Sequence, residues 1–402
     1  MAERQCHVSR LSFYVLRFTF HASRITLHAS RSTLHALYVS PTFLETFRPV
    51  AEYLQSGAAR WAGRVLDMLS PKHCNLFIIM KLAFLVGIAL TSTALAATEE
   101  QINKHFTVQP GGKLVVEVDF GSINVSTNSG SEVVVDAWRK VSRSSKSAEE
   151  EYLKSNPVEI SQDGTTVTVR CRSKVGSNWS WTGHNQNQAK YTVTVPAQFN
   201  ASLKTAGGTI ETSDLTGEVT AHTSGGSLHF ARLHGPLDGN TSGGRIQVKD
   251  CDGTVKIHTS GGGIDVAGGT GTLDGGTSGG AVTVKNFHGP THVSTSGGGI
   301  TVENVAGELD GSTSGGSIHA VLLSPLADSV KLSTSGGGVT VRVPGDASFD
   351  LDAKTSAGGV SSELPVSVVG KAERSHLKGT VNGGGKSVVL RTSAGGINIQ
   401  KL

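Results

Sequence analysis

A short motif, Thr-[Ser/Ala]-Gly-Gly followed by an apolar segment, recurs along the second half of the chain. Seven copies are spaced by 18 residues, two more follow at intervals of 21, and one lies near the C-terminus; the last two copies read Thr-Ser-Ala-Gly-Gly. A fixed period in this range is typical of a solenoid, in which each repeat forms one coil stacked on the last. The repeat threonines are Thr205, Thr223, Thr241, Thr259, Thr277, Thr295, Thr313, Thr334, Thr355 and Thr392.

The residues between the threonines indicate how one coil is built. An aliphatic residue stands five positions after each threonine, and mostly apolar residues stand seven positions after it and four before it, as Ile246, Val248 and Leu237 do around Thr241. This spacing of two predicts strands with one face inward. The fold is therefore predicted to be all-β, a parallel β-solenoid of the β-helix or β-roll kind, with two strands in each coil of about 18 residues. The threonines fall on the inward parity, where their hydroxyls can bond to turn amides.

A second sequence pattern, here called the 36-residue rhythm, has twice the period of the threonine motif. Leu-Asp-Gly recurs every 36 residues, at 237–239, 273–275 and 309–311, and the coils between carry bulkier residues such as Ile257 and Val293. We interpret this alternation as a packing device, in which large and small side chains from adjacent coils share a narrow core.

The chain before the repeats contains an export signal in an unusual place. From Met80 it reads one lysine, an apolar run and small residues at Ala94 and Ala96, which predicts a signal peptide over 80–97. Residues 1–79 precede it. They are either a non-native extension from a start codon assigned too far upstream, which we favour, or an organellar transit peptide. Export to the bacterial periplasm or cell surface is expected, with no transmembrane anchor in the mature chain.

Charge and cysteine content narrow the function classes. Residues 1–96 hold 10 Lys+Arg against 4 Asp+Glu, whereas the remainder holds 26 against 28 and is nearly neutral. No nucleic-acid partner is therefore expected. Two cysteines remain after the signal peptide, Cys171 and Cys251. An even count in an exported protein permits a disulfide, but Cys251 lies in an apolar column and is expected to be a core residue.

Residues 98–200 are predicted to form an irregular β region, and the repeats proper occupy 201–402. Period-two strands alternate with turns in the first region, and a charged insert at 147–154 is predicted to be a short helix. These strands are interpreted as irregular early coils of the same solenoid, because an open end would expose an aggregating edge.

Several segments together resemble a bacterial family described as "putative adhesin", a domain of unknown function. The resemblance rests on Pro110-Gly-Gly with Leu114, on Gly121-Ser-Ile-Asn-Val, on Tyr191-Thr-Val-Thr-Val-Pro, and on the repeated Thr-Ser-Gly-Gly-x-Ile-x-Val. It covers nearly all of 98–402. The resemblance implies an exported or surface-associated β-solenoid, and it brings no catalytic residues.

Four motifs have the residue types of a catalytic or metal site, and none is expected to be one. The Gly-x-Ser-x-Gly sequence around Ser278 is one copy of the repeat and lacks the helix that a nucleophile elbow requires. Asp265 lies in a glycine-rich turn, but no carboxylates recur at its position to hold calcium. Outward Asp238, Asp274 and Asp310, and the pairs His222/His258 and His234/His288, are two or three coils apart, too far to share one ion.

The most distinctive segment outside the repeats is a polar loop with Trp179, Trp181 and His184. Its rings could stack on a sugar or clasp a partner, or they could fold back over the first coil. The sequence thus predicts a non-enzymatic, adhesin-like interaction protein without cofactors, whose partner is a protein or glycan at the cell envelope. The alternatives are a periplasmic scaffold module and a polysaccharide-acting enzyme; the uninterrupted coils argue against the enzyme.

Overall fold

The computed structural model describes residues 97–172, 186–368 and 373–402, together with the backbone of two short strands near the N-terminus. The chain divides into two compact units, Met1–Ala94 and Leu95–Leu402. In the first unit, β1 (Arg17–His21) and β2 (Arg24–His28) form an antiparallel pair. The second unit contains all the other described elements.

The second unit begins with seven strands and one helix. They are β3 (Thr98–Thr107), β4 (Gly112–Val118), β5 (Ser122–Asn128), β6 (Glu132–Ser142), α1 (Lys146–Ser155), β7 (Glu159–Asp163), β8 (Thr166–Cys171) and β9 (Gln186–Pro196). The predicted insert is helical, and its N-cap Ser145 accepts a hydrogen bond from the amide of Ala148 at 3.2 Å.

The repeats contribute strands in alternation to two sheets. To the first sheet belong β10 (Phe199–Thr205), β12 (Val219–Thr223), β14 (Leu237–Thr241), β16 (Asp252–Thr259), β18 (Thr270–Thr277), β20 (Thr291–Thr295), β22 (Leu309–Thr313), β24 (Val330–Thr334), β26 (Phe349–Thr355), β28 (Val366–Val368), β29 (His376–Val381) and β30 (Lys386–Thr392). To the second belong β11 (Ile210–Ser213), β13 (Leu228–Ala231), β15 (Ile246–Lys249), β17 (Ile264–Ala267), β19 (Val282–Lys285), β21 (Ile300–Glu303), β23 (Ile318–Val321), β25 (Val339–Val343), β27 (Val360–Ser362) and β31 (Ile397–Lys401).

The two sheets confirm the predicted β-solenoid. Sheet 1 has 15 strands and sheet 2 has 14, and apart from β28 and β29 the neighbouring repeat strands are parallel with like positions in register, as Leu237↔Val255↔Leu273 shows. The aliphatic columns face inward and form one continuous hydrophobic core. Hydrophobic burial along these columns is the main source of stability, because each coil covers the apolar edge of the next.

The 36-residue rhythm has the predicted packing role. Across sheet 1, Gly239, Ile257, Gly275, Val293 and Gly311 lie side by side in the core. A Cβ on Gly239 would lie 2.9 Å from Cε2 of Phe230 and one on Gly311 would lie 2.9 Å from Cδ2 of Leu332, so larger neighbours already occupy these volumes. By contrast, a Cβ on Gly275 would meet only ordinary contacts from 3.6 Å. A bulky residue in every coil would overpack the core.

The order of the coils differs from the prediction at both ends. We predicted that each coil stacks on the last, but β4 and β5 lie between the coil of β8/β9 and that of β10/β11. Likewise β30 and β31, which carry Thr392, lie between the coil of Thr334 and the coil of Thr355. The first and last parallel coils in the sequence are therefore each one layer inside an end. Strand pairing across such distances leaves no local pattern in the sequence.

Antiparallel strands cover most of the terminal edges. At the N-terminal end, β7 pairs with β8, and β6 and then β3 follow β9. At the other end, β29 pairs with β26, and β28 with β29. These reversals interrupt the parallel stack, which limits the exposure of its edges to other chains.

Both described cysteines are buried and unbonded to each other. The Sγ of Cys251 lies 3.4 Å from the carbonyl oxygen of Lys249, and burial raises the pKa of this thiol above its ordinary value. The core role expected for Cys251 is confirmed.

Candidate functional site: the turn face of the solenoid

The tryptophan loop singled out in the sequence lies outside the described residues. Trp179, Trp181 and His184 fall within 173–185. Their proposed binding role therefore stays a prediction.

The repeat threonines form a buried hydrogen-bonded row. Each of the ten hydroxyls donates to a glycine carbonyl of an adjacent coil at 2.7–3.1 Å. In nine of them the same oxygen accepts a hydrogen bond from the amide three residues onward, at 3.1–3.3 Å. Both bonds are internal to the fold, so this row is occupied in joining coils and offers no surface to a ligand.

Removing one hydroxyl from this row should measurably weaken the stack. Thr259 is fully buried, donates to the carbonyl of Gly244 at 2.9 Å and accepts from the amide of Gly262 at 3.3 Å. We expect Thr259→Val to lower the free energy of unfolding by about 1–3 kcal/mol, because it leaves a carbonyl and an amide of two partly buried glycines without this partner. Urea denaturation followed by circular dichroism measures the loss. Thr259→Ser keeps the hydroxyl and should lose less; equal stability of the valine variant and the parent would contradict the proposed role.

The outward columns of the two sheets carry mixed polar side chains. On sheet 1, acidic and basic groups alternate from coil to coil along Asp238, Lys256, Asp274, His292, Asp310 and Lys331. The Lys331 Nζ and Asp310 Oδ2 atoms are 3.2 Å apart. On sheet 2, Asp265 pairs with Arg245 at 3.1 Å. Among the described residues, no three His, Cys, Asp or Glu side chains are placed to hold one metal ion.

The turns that lead from sheet 2 back to sheet 1 form a third side of the solenoid, here called the turn face. Single parallel bridges link like positions of successive turns, as Thr216↔His234↔Asp252 and Thr270↔His288↔Ala306 show. Two positions before each of these residues, the backbone is left-handed, with φ between 51° and 76°. Asp, Asn and Gly adopt that conformation most readily, and Asp214, Asp250, Gly268, Asn286 and Asn304 follow this rule.

A groove of about 520 Å³ crosses five turns of this face. The groove lies at the turn Gly268-Gly269-Thr270, which begins with two glycines. The equivalent turns of the neighbouring coils carry a side chain at both of these positions. We call this groove the turn-face groove. It is lined by Asp214, Arg232, His234, Asp250, Asp252, Gly269, Thr270, Asn286 and His288.

Ion pairs and hydrogen bonds hold several groups of the groove in place. Arg232 donates to both carboxylate oxygens of Asp214, at 2.5 and 2.8 Å. These bonds lower the pKa of Asp214 and raise the pKa of Arg232. One oxygen of Asp252 accepts from the amide and hydroxyl of Thr270 at 3.0 and 2.8 Å, and the other lies 3.0 Å from Nδ1 of His234.

Three polar groups of the groove remain available to a ligand. Within the described part of the chain, the Asp250 carboxylate and the His288 imidazole make no side-chain hydrogen bond or ion pair. Asn286 accepts from Asn304 at 3.1 Å through Oδ1, which leaves the hydrogens of its amide nitrogen available. The groove therefore offers both a hydrogen-bond acceptor and a donor.

The turn-face groove was not predicted from the sequence. His234 and His288 were expected to be surface residues of equivalent turns, too far apart to share a metal, and the groove does not bring them together on one ion. The available signal was the turn Ala267-Gly-Gly-Thr-Gly271, which breaks the side-chain pattern of its neighbours. Motif searches pass over such a signal because it is an absence of side chains.

Comparisons with known proteins give a family and distant structural similarities. The model of the family Toastrack DUF4097 matches residues 112–400. Solved structures described as a putative adhesin from Parabacteroides distasonis and a putative adhesin from Parabacteroides merdae share 11% and 13% identity with the chain. Each covers 75% of this chain and 97% or 96% of its own, with TM-scores of 0.33 and 0.34.

A further solved structure is described as a putative lipid binding protein from Parabacteroides distasonis. It shares 9% identity, covers 75% of this chain and 97% of its own, and has a TM-score of 0.33. Similarities at these TM-scores carry no argument about function. The comparison with curated proteins returned no match.

Among the described residues, no helix combines the length and apolar character needed to cross a membrane. The family model spans the irregular β region and nearly all of the repeats, and the fold has the predicted parallel coils. The resemblance predicted from the sequence is confirmed: the chain belongs to the Toastrack DUF4097 family.

Proposed function

We propose that this protein is an exported, non-enzymatic β-solenoid that acts by binding, as an adhesin-like interaction protein of the cell surface or envelope. The observation that carries the proposal is the turn-face groove, where polar groups without internal partners lie on a rigid scaffold of stacked coils. Polar groups on a preorganised surface favour recognition, since little entropy is lost when they bind.

Two further observations support a binding role. The repeat threonines and glycines, which give the sequence its most visible motifs, are used in hydrogen bonds and close contacts between coils. One outward column of sheet 1, from Asp238 to Lys331, alternates in charge, and the column beside it is mostly uncharged, so this face has no strong field of one sign. Recognition by such a surface depends on local complementarity more than on bulk charge.

Export follows from the predicted signal peptide over 80–97 and is tested by locating the protein in cells. We expect N-terminal sequencing of the mature protein to begin near Ala97. Protease treatment of intact cells should then degrade a surface-exposed protein. A soluble periplasmic pool protected from protease would favour the scaffold alternative, and a cytoplasmic protein starting before Met80 would contradict export.

A further inference from the structure

We infer that the turn-face groove binds a polyhydroxylated ring, namely one sugar residue of a glycan. This inference rests on the proposed binding function and specifies its ligand. It depends on the shape of the slot around Gly268, on the hydrogen-bonding groups at its two walls, and on the rigidity of those walls.

The slot is the gap at Gly268, where one side chain is missing from the row of equivalent turn positions. Asp250, Gly268 and Asn286 occupy the same position in three successive turns, with φ of 51°, 76° and 55°. Coils stack about 4.8 Å apart, so the backbones of Asp250 and Asn286 are separated by roughly 10 Å across the bare glycine. This span suits a single six-membered ring, and the groove of about 520 Å³ lies within the usual range for small-ligand sites.

Gly268 leaves to the Asp250 carboxylate the space that a side chain at this position would take. A Cβ on Gly268 would lie 2.2 Å from Oδ1 of Asp250, which shows that this carboxylate leans over the glycine. Gly269 is constrained as well, because its Cβ would lie 2.2 Å from the carbonyl oxygen of Cys251. The floor of the slot is therefore backbone, and the Asp250 carboxylate is directed over it.

The two walls are complementary to hydroxyl groups. An ionised carboxylate only accepts hydrogen bonds, an amide nitrogen only donates them, and an imidazole donates or accepts according to its tautomer. Asp250, Asn286 and His288 thus present acceptor and donor capacity around one slot. A sugar hydroxyl donates and accepts at once and satisfies both kinds of group. An ammonium ion only donates, so it would leave the amide of Asn286 without a partner.

Hydrogen bonds within the fold hold the backbone of both walls and the side-chain amide of Asn286. The backbone amides of Asp250 and Asn286 donate to Ala267 and Glu303 of the next coils, each at 2.9 Å. Asn304 holds Oδ1 of Asn286 and so orients its amide nitrogen. At the far end, Arg232 is the exception among the left-handed residues, with φ of 52°, and its ion pair with Asp214 holds it there. Groups held this way lose little freedom on binding.

The test is a titration of the purified, isotope-labelled protein with free D-glucose, D-galactose, D-mannose and N-acetyl-D-glucosamine. We expect at least one sugar to shift the backbone amide resonances of Gly268, Gly269 and Thr270 with a millimolar dissociation constant. Asp250→Asn should weaken that binding about tenfold, because a hydrogen bond to a charged acceptor is replaced by a neutral one. The substitution suits the left-handed backbone, since Asn286 and Asn304 already occupy this column.

Asp274→Asn is the matched control, because Asp274 is exposed on the outward face of sheet 1. It should bind the sugar as the parent does. Asn286→Gly provides a second groove variant, since glycine already occupies this column at Gly268, and should also weaken binding. The inference is overturned if no sugar shifts the three amides, if methylamine shifts them and the sugars do not, or if both groove variants bind like the parent. The titration does not depend on export, so a negative result here would leave the localisation test of the proposed function standing.

Discussion

Replacing Gly262 by alanine is expected to destabilise the solenoid by more than about 3 kcal/mol, enough to separate or unfold the neighbouring coils. A Cβ at this position would lie 2.0 Å from the carbonyl oxygen of Gly244 and 2.4 Å from its carbonyl carbon. Both atoms are backbone, so no side-chain rotation relieves the clash. The two coils must move apart, which also lengthens the hydrogen bond between Thr259 and Gly244.

Gly261→Ala is the matched control, one residue earlier in the same turn. Its Cβ would meet nothing closer than 3.5 Å, which is ordinary van der Waals contact, and its backbone is not left-handed. We expect a change between zero and a stabilisation of about 0.5 kcal/mol, because alanine restricts the unfolded chain. The midpoints of urea and thermal unfolding measure both variants. The interpretation fails if the two alanine variants are equally stable.

The ten repeats show the same difference between the two glycine positions of the turn. Position three after the repeat threonine is glycine in all ten copies, and a Cβ there would lie 1.8–2.2 Å from backbone of an adjacent coil. Position two is alanine in two copies, Ala357 and Ala394. In the sequence the Gly-Gly pair is one turn signal, whereas only one of its members is sterically required.

Loss of the Arg139 guanidinium should destabilise the N-terminal end of the solenoid. This side chain extends from β6 and is only 1% exposed. It donates to Oε2 of Glu100 through Nε and Nη2, to the carbonyl of Asn156 at 2.6 Å, and to Sγ of Cys171 at 3.5 Å. We expect Arg139→Met to cost about 2–4 kcal/mol, since a buried ion pair is broken from one side while Glu100 keeps partial access to water.

Lys140→Met provides the control for this variant. Lys140 is the next residue and pairs with Glu99 at 2.8 Å, but both side chains are about half exposed. Such surface pairs contribute little, so we expect a change of less than about 1 kcal/mol. Urea denaturation gives the difference, and hydrogen exchange of the β3 amides should show that the loss is local to this end. Equal effects of the two substitutions on stability would contradict the proposed role of Arg139 in stabilising this end.

Most of the fold could be predicted because the same local sequence pattern recurs in successive repeats. The alternation of inward residues, the two strands per coil and the Leu-Asp-Gly rhythm around Gly239, Gly275 and Gly311 each depend on neighbours in the sequence or on equivalent positions one period away. The charged, uninterrupted composition of the insert predicts the short helix, and the structure extends it by one residue at each end, to Lys146–Ser155.

The candidate site could not be predicted in the same way. The turn-face groove exists because Gly268 and Gly269 lie between a turn that carries Asp250 and a turn that carries Asn286. Each of these residues is unremarkable in its own turn, where Asp, Asn and Gly are all favoured by the left-handed backbone. Only their juxtaposition across three coils makes a slot with an acceptor on one wall and a donor on the other.

The 18-residue repeat by itself determined the solenoid, its inward columns and the inward threonine row, because side-chain parity and period are local properties of a strand. The tertiary structure decided which glycine of each pair is indispensable, which turn opens into a groove, and that the coils of Thr392 and of β4/β5 lie one layer inside the ends. The reason is that these features depend on which strand lies beside which. Near-identical repeat strands can pair in more than one order, and only packing and edge coverage select among them.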